Sequence, residues 1–445
     1  MCRDFTMTDK PELLEAFLTE AQIAELPDQR GMRSWAFEPY LELHDREANA
    51  ALDTVLEYLL AHWMNGLQRK PNRERQSNFA GCLRVILLNL MRVRTVDAKL
   101  TVGIPSGKGR LDKEKRYCPG FMTVHYHLNA LKLLQAGGLV SMVKAGHQQE
   151  DYAETARYAL TEAARTVLPL SRLTVRDFTI GRRDEVIRLK DAEGHLTRYL
   201  DTPETEAMRA NLRRLNDLLE GTDIALARPA NPLADFDDEY SGQKIDLYRV
   251  FNKGSFAQGG RFYGGWWQHA KKYLRPFITI DGQSTIEADF KGLHPAILFA
   301  KAGLDIPPDP YSLVPGITDN ETLRDYAKTT FLALLNADNT TKEPRNFDSV
   351  VHGMTAEAFR RRVKDAFPML PGVFGTGIGR YLQREDSDMA EQIMLHFADK
   401  GVPVLPVHDS FIIAADHKDE LVRVMQAVFH DRYDQMPNIT LKTSA

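Results

Sequence analysis

A histidine and an aspartate, His408 and Asp409, stand next to each other in the middle of an apolar run. "GVPVL" precedes the pair and "FIIAA" follows it, so the sequence predicts two short strands joined at residues 408–410. A carboxylate at the tip of such a hairpin is either an ordinary turn residue or a functional group that the turn exposes to a substrate or a metal. Because Asp and Ser are common turn formers, the segment alone leaves both interpretations open.

A second aspartate, Asp289, ends another predicted strand. In "FITIDGQSTIEADFKGLHPAIL" (277–298) an Asp-Gly turn joins two strand-like runs, and a helix is predicted to follow them. Asp289 and Asp409 are 120 positions apart, but two strands of one sheet can bring them together. Carboxylates are the hard oxygen ligands that Mg²⁺ prefers. Glu287 lies on the same strand face as Asp289 and is a second choice of ligand.

Two basic residues are spaced one helical turn apart in "LRDYAKTTFLALLNA" (323–337), a predicted helix that follows "DPY" (309–311). Arg324 and Lys328 are at positions i and i+4, so both project from the same face of that helix. Taken alone, the pair is typical of a solvated helix face.

Four segments of the C-terminal half occur in an order that resembles the family A DNA polymerases, which share a palm domain with the single-subunit phage RNA polymerases. The resemblance covers roughly residues 245 to 440. It rests on the strand-ending Asp289, the helical Arg324 and Lys328, a helix that carries Gln383, and the His408-Asp409 pair.

The resemblance implies nucleotidyl transfer, in which a 3′-hydroxyl attacks the α-phosphate of a nucleoside triphosphate. It implies that Asp289 and Asp409 hold two Mg²⁺ ions, with Mn²⁺ as a substitute. Arg324 and Lys328 would bind the triphosphate, and Lys328 would protonate the leaving pyrophosphate. His408 would steady the end of the primer.

Several positions bear on which substrate is used. Five residues after Asp289, the family DNA polymerases carry a bulky Glu that blocks a ribose 2′-hydroxyl, whereas this chain has His294. The imidazole predicts a preference for dNTPs, although it could instead bond a 2′-hydroxyl and select for it. Asn336, where the family has an aromatic residue, and Ser410, as in the phage enzymes, favour NTPs. Gln383 and Asn336 complete the candidate substrate contacts.

Glycines and aromatic residues surround Arg261 in "GGRFYGGWWQ" (259–268), just before Asp289. The segment is either a surface on which bases stack and phosphates bind, or a tightly packed loop. Its position before the first aspartate favours the nucleic-acid interpretation, with Arg261 as a substrate-binding residue.

The composition is that of an ordinary soluble protein, with 43% hydrophobic and 27% charged residues. The net charge of −4 excludes a chain that is basic throughout, but not one with a local basic surface. Cys2, Cys82 and Cys118 are too few and too scattered for a disulfide framework or a zinc site. The sequence shows neither a secretory signal nor an apolar stretch long enough for a membrane, so we expect a cytoplasmic protein.

The N-terminal half contains a pattern that resembles a winged helix-turn-helix. Basic residues cluster at 68–76 and 106–116, around a helix predicted in "FAGCLRVILLNLMRV". A second helix and a short strand are predicted in "FMTVHYHLNALKLLQAGGLVSMVKAG", and a closing helix in "ARYALTEAARTVL". The resemblance implies that the second helix enters the major groove of DNA. A small helical domain with a glycine cap is the alternative.

These observations predict an α+β protein with four parts. An N-terminal helical region spans 1–60, a winged helix-like DNA-binding domain 61–170, a connector 171–235, and a palm with reduced fingers 236–445. The palm is expected to be an antiparallel sheet with helices.

The predicted function is that of a compact, metal-dependent DNA polymerase of replication or mobile-element type. Its expected partners are a DNA template and primer and nucleoside triphosphates, with no membrane. A primase or single-subunit RNA polymerase is one alternative, and a DNA-binding replication initiator or regulator with an inactive palm is another. The sequence leaves the oligomeric state open.

Overall fold

A computed structural model describes residues 34–105, 115–149, 152–227, 245–317, 320–338 and 347–443. These residues form two compact units. The first comprises the described residues up to Glu185 together with 245–246, and the second comprises 186–227 and the described residues from Leu247 onwards. The described part of the expected connector (171–227) is therefore divided between the two units at Glu185.

The first unit is built on amphipathic helices whose starts are capped by polar side chains. Asp45, Asn72 and Thr123 each accept a backbone N–H from the first turn of the helix that follows, which favours helix initiation. The helices are α1 (Arg46–Asn65), α2 (Arg73–Val96), α3 (Val124–Ala136) and the short α4 (Ala164–Val167). Their buried leucines, such as Leu83 and Leu131, share one hydrophobic core.

Short strands complete the first unit. They are β1 (Ser34–Ala36), β2 (Leu41–Leu43), β3 (Thr101–Gly103), β4 (Val140–Lys144), β5 (His147–Gln149), β6 (Tyr152–Glu154), β7 (Arg157–Leu160) and β8 (Phe178–Ile180). One sheet has the order β1-β3-β7-β4, while β2 pairs with β8 and β5 with β6. β7 pairs in antiparallel fashion with both β3 and β4, whereas β1 pairs parallel with β3.

The helix and strand predicted between residues 121 and 146 are confirmed as α3 and β4. The closing helix predicted in "ARYALTEAARTVL" is wrong, because β7 occupies its first part and α4 is a single turn. β7 pairs with β3 on one edge and β4 on the other, so the sheet overrides the local helical pattern. Residues 1–33 of the expected N-terminal helical region and the basic residues 106–114 lie outside the described residues.

The second unit contains the strands that carry the candidate site. They are β9 (Ile187–Leu189), β10 (Ile224–Leu226), β11 (Tyr248–Asn252), β12 (Ser255–Tyr263), β13 (Ile278–Ile280), β14 (Gln283–Phe290), β15 (Leu405–Val407), β16 (Ser410–Ala414) and β17 (Ile439–Thr443). The main sheet has the order β10-β13-β14-β16-β15, and β17 also pairs with β14. Its pairings are antiparallel.

Both predicted hairpins are confirmed. Asp281 and Gly282 connect β13 to β14 with φ angles of 49° and 76°, the conformation that makes Asp-Gly a favoured two-residue turn. His408 and Asp409 connect β15 to β16. His408 has a φ of 59°, in the left-handed region that residues other than glycine seldom adopt.

The helices of the second unit pack against one another and share a core with one face of the main sheet. They are α5 (Pro203–Glu220), α6 (Leu293–Lys301), α7 (Glu321–Asn336), α8 (Ala356–Asp365), α9 (Gly379–Ala398) and α10 (Lys418–Tyr433). Their apolar faces and the inner face of the sheet form one core. The expected α+β class is confirmed. Within the described ranges, no helix has the length and apolar character needed to cross a bilayer.

Candidate active site

The strand register sorts the side chains of β14 onto two faces. Successive residues of a strand point to opposite sides, so Thr285, Glu287 and Asp289 share one face. On the other face, Phe290 packs against Phe411 within the helix-covered core. The register also puts Ser410 of β16 opposite Asp289 and Lys442 of β17 opposite Glu287. We call Thr285, Glu287, Asp289, Ser410 and Lys442 the polar face.

The structure brings Asp289 and Asp409 close together. Asp289 pairs with Ser410, the residue after Asp409, and the N–H of Phe290 donates to the Asp409 carbonyl at 3.2 Å. Burial raises the pKa of Asp289, and the negative charge of Asp409 raises that pKa further. The two residues that sequence reasoning chose as metal ligands are therefore electrostatic neighbours.

Glu287 and Lys442 form a charged group beside Asp289. The Lys442 ammonium lies 2.9 Å from Glu287 Oε1 and 3.1 Å from Asp289 Oδ2. Glu287 also accepts hydrogen bonds from Ser410 Oγ at 2.8 Å and from Arg275 Nη1 at 3.1 Å. Burial raises the pKa of Glu287, but the hydrogen bonds from Lys442 and Ser410 outweigh this and hold it below its usual range. Glu287 is thus already surrounded by donors.

Asp289 and Asp409 are the candidate ligands for a divalent cation. Among the described residues, no three or more His, Cys, Asp or Glu side chains are arranged to hold a metal. Asp289 together with the neighbouring Asp409 nevertheless suits Mg²⁺, which commonly takes one or two carboxylates and completes its shell with water and substrate phosphate. The raised pKa of Asp289 fits this use, because a bound cation would relieve the repulsion from Asp409.

A buried network lies near the His408-Asp409 turn and joins three elements. Asp386 of α9 accepts hydrogen bonds from Arg261 of β12 at 2.6 and 3.1 Å and from His294 of α6 at 2.8 Å. Burial raises the pKa of Asp386, but these two partners hold it below its usual range. Burial lowers the pKa of Arg261, but the charge of Asp386 and, to a smaller extent, that of Asp409 outweigh this and raise it, which ties the network electrostatically to the hairpin turn.

This network bears on the expectations that Arg261 binds substrate and that His294 selects the sugar. Arg261 pairs with a carboxylate of its own chain, and His294 is only 6% exposed. One imidazole nitrogen of His294 bonds Asp386, while the other, Nδ1, is buried with no hydrogen-bond partner in the described structure. Sequence reasoning missed Asp386. The signal was a carboxylate on the apolar face of α9, between the buried Leu382 and Met389.

The tryptophans near Arg261 are packing residues. Trp266 and Trp267 are buried, and the Trp267 indole N–H donates to the Pro406 carbonyl at 3.0 Å. They are not available to stack on bases, so for these two side chains the structure supports the alternative of a tightly packed segment. Tyr263 differs, because its ring lies edge-on to His408 with a centroid separation of 6.1 Å. Desolvation and the charge of Arg261 lower the pKa of His408.

Arg324 belongs to a second charged group, formed with Asp309 and Tyr311. Its Nε and Nη2 donate to Asp309 at 2.6 and 3.2 Å, and its guanidinium lies over the Tyr311 ring. Burial raises the pKa of Tyr311, and the charge of Asp409 adds to that increase, which connects this group to the carboxylate pair. Lys328 is exposed on the same helix and makes no hydrogen bond or ion pair within the described chain.

Gln383 and Asn336 lie against each other rather than against the carboxylates. Gln383 Nε2 donates to Asn336 Oδ1 at 3.2 Å, which links the start of α9 to the end of α7. Arg380 supports the same junction by donating to the Asn336 carbonyl at 3.0 Å. Neither Gln383 nor Asn336 bonds Asp289 or Asp409 in the described structure.

The sequence matches no known family model and no curated protein. Among solved structures, the chain is similar to the POL domain of Pol1 from M. smegmatis, in a complex with DNA primer-template and dNTP. The TM-score is 0.31 and the sequence identity 12%, over 54% of this chain and 50% of that chain. The chain thus spans half the length of that polymerase chain. A TM-score this low assigns neither a family nor an activity.

Proposed function

We propose that the chain is a template-directed nucleotidyltransferase, and specifically a compact DNA polymerase. The observation that supports it most directly is the register of β14 with β16, which joins Asp289 to the Asp409 turn beside one polar face. The order of the four sequence segments that carry these residues adds to this support. The partners would be a DNA template, a primer and nucleoside triphosphates.

Asp289 and Asp409 would hold the divalent cations, with Mg²⁺ as the expected ion and Mn²⁺ as a substitute. When bound, such ions supply positive charge to the reacting phosphate and to the attacking and leaving oxygens. The two aspartates orient that charge through the rigid pairing of β14 with β16. Glu287 is left to its partners Arg275 and Lys442 and takes no part as a ligand.

The basic residues of α7 would bind the triphosphate. Lys328 is exposed and without a bonded partner in the described structure, so it can approach a phosphate without breaking an existing contact. Arg324 is already paired with Asp309, so to bind phosphate oxygens it must either release Asp309 or contact both groups. His408 would contact the end of the primer, and its left-handed backbone, an uncommon conformation of the kind found at functional sites, supports this role.

The first unit would bind DNA as a winged helix. Its described order of helix, strand, helix, strand, hairpin and strand, with β7 paired antiparallel to both β3 and β4, supports the proposal. His125 and Lys132 are exposed on α3, away from its buried leucines. The segment before and within the first turn of α2 carries four exposed cations whose side chains have no bonded partner in the described structure. This basic loop comprises Arg69, Lys70, Arg73 and Arg75.

The test is nucleotide incorporation by the full-length chain on primed and unprimed DNA templates with Mg²⁺. Asp289→Asn and Asp409→Asn should each lower incorporation by about a thousandfold or more, since charge stabilisation of this kind dominates such reactions. Asp365→Asn, at an exposed position of α8, should leave incorporation unchanged. Circular dichroism should show that all three variants remain folded. Substantial activity in either site variant would refute the assignment.

Inactivity of the wild-type chain with every nucleotide, combined with retained DNA binding, would instead support an initiator or regulator with an inactive palm. Two ion pairs favour this candidate, because Lys442 neutralises the proposed metal ligand Asp289 and Asp309 neutralises the proposed phosphate-binding Arg324.

An RNA polymerase or primase is a further candidate. The environment of His294 favours it. A buried imidazole nitrogen without a partner could bond a ribose 2′-hydroxyl and so favour NTPs. We retain the prediction that the imidazole excludes that hydroxyl and that dNTPs are preferred. The comparison is His294→Gly against wild type, each with dNTPs and NTPs. If His294→Gly uses NTPs better than wild type does, the imidazole excludes the 2′-hydroxyl. If wild type uses NTPs and His294→Gly does not, the imidazole binds that hydroxyl, which supports the alternative.

A further inference from the structure

Lys442 of β17 is the cation in contact with a proposed metal ligand. Because β17 runs antiparallel beside β14, Lys442 lies opposite Glu287 and reaches both carboxylates of the polar face. Its Nζ lies 2.9 Å from Glu287 Oε1 and 3.1 Å from Asp289 Oδ2, so Lys442 is an ammonium held between two carboxylates.

The two carboxylates depend on Lys442 to different degrees. Glu287 keeps an ion pair with Arg275 and a hydrogen bond from Ser410 when Lys442 is ignored. Asp289 has no other bonded cation in the described part of the chain. Any divalent ion that binds Asp289 must therefore share this carboxylate with the Lys442 ammonium, which is 3.1 Å away, or displace the ammonium.

The structure provides room for that displacement. A cavity of about 470 Å³ lies beside the polar face, and Lys442 is one of its lining residues together with Lys272, Tyr273, Arg275, Thr285 and Glu287. Lysine has a flexible four-carbon side chain, so Lys442 can leave Asp289 and keep Glu287 as its anchor.

We infer that Lys442 is a built-in counter-cation that competes with a divalent metal for Asp289 and thereby sets the metal affinity of the site. The inference rests on the proposed function, because it takes Asp289 to be a metal ligand. Lys442 neutralises Asp289 before the metal arrives and leaves it when the metal binds. The opposite role, in which Lys442 orients Asp289 for the metal, makes the opposite prediction.

The test is direct binding of Mn²⁺, followed by the electron paramagnetic resonance signal of the free ion, without nucleotide or DNA. Lys442→Met should tighten Mn²⁺ binding by about tenfold, the lower end of what a neighbouring charge does to proton binding by a carboxylate. Lys442→Arg keeps the charge and should stay within about twofold of wild type. Lys272→Met removes a charge from the same cavity without touching Asp289, and should also change binding by less than about twofold.

Two further variants separate the possible failures. Asp289→Asn should abolish Mn²⁺ binding, and if it does not, the proposed metal site itself is wrong. If Asp289→Asn abolishes binding but Lys442→Met binds Mn²⁺ equally or more weakly, the competition is refuted and the metal site stands. Glu287→Gln combined with Lys442→Met should still bind more tightly than Glu287→Gln alone, which excludes a gain caused by freeing Glu287. Lys442→Gln repeats the measurement if the methionine variant does not fold.

Discussion

Removal of the Asp386 carboxylate should destabilise the second unit strongly. Asp386→Ala leaves the Arg261 guanidinium and the His294 imidazole without their shared acceptor, and both are largely buried. Breaking a buried ion pair by deleting one partner typically costs about 3–5 kcal/mol. Because the Arg261 side chain is 21% exposed and can recover some hydration, we expect the lower end, about 3 kcal/mol. For a unit of this size that corresponds to roughly 6–12 °C in Tm.

The assay is thermal unfolding followed by tryptophan fluorescence, since Trp266 and Trp267 are buried in the same unit. Arg261→Met should also destabilise, because it leaves Asp386 charged and buried. The double variant Arg261→Met and Asp386→Leu removes both charges and fills the space, so its loss of stability should be smaller than the sum of the losses measured for Arg261→Met and Asp386→Leu separately. A double variant whose loss equals the sum would refute the idea that the pair acts as one unit.

Two buried carboxylates of the second unit predict a response to acid. The pKa of Asp386 and that of Glu287 are held below the ordinary carboxyl range by their partners. A carboxyl group with a lowered folded pKa contributes stability that is complete above its unfolded pKa of about 4 and is lost as the pH falls through the folded value. Tm should therefore decline below about pH 4. Asp386→Asn should reduce that decline, and an identical acid response in the variant would contradict the assignment.

Two further predictions concern ligands. Asp309→Asn keeps the backbone cap but weakens the hold on Arg324, so it should lower the KM for nucleotide by a few fold, whereas Arg324→Ala should raise it by about tenfold or more. An unchanged KM in both variants would separate Arg324 from substrate binding. Replacing the four residues of the basic loop by glutamine should weaken binding of the full-length chain to DNA and reduce the slope of log K against log salt by up to about 3.6. A slope equal to that of wild type would show that the loop makes no phosphate contacts.

The local features of the second unit could be predicted from sequence because short-range patterns determine them. The Asp-Gly turn between β13 and β14 depends on two neighbouring residues whose backbone tolerates positive φ. The helical spacing of Arg324 and Lys328 likewise follows from local periodicity, and α7 confirms that both are on one helix. The closing helix predicted over β7 failed because pairing with two distant strands, rather than local pattern, decides the conformation there.

By itself, the sequence determined the types of side chain available, the two hairpins and the candidate carboxylates Asp289 and Asp409. Only the tertiary structure decided their neighbours. Lys442 reaches Asp289 across 153 positions, and Asp386 reaches Arg261 across 125, through strand pairing and helix packing that no local pattern encodes. The physical reason is that charge and desolvation act through space, so the environment of a carboxylate depends on groups that approach it only when the chain is folded.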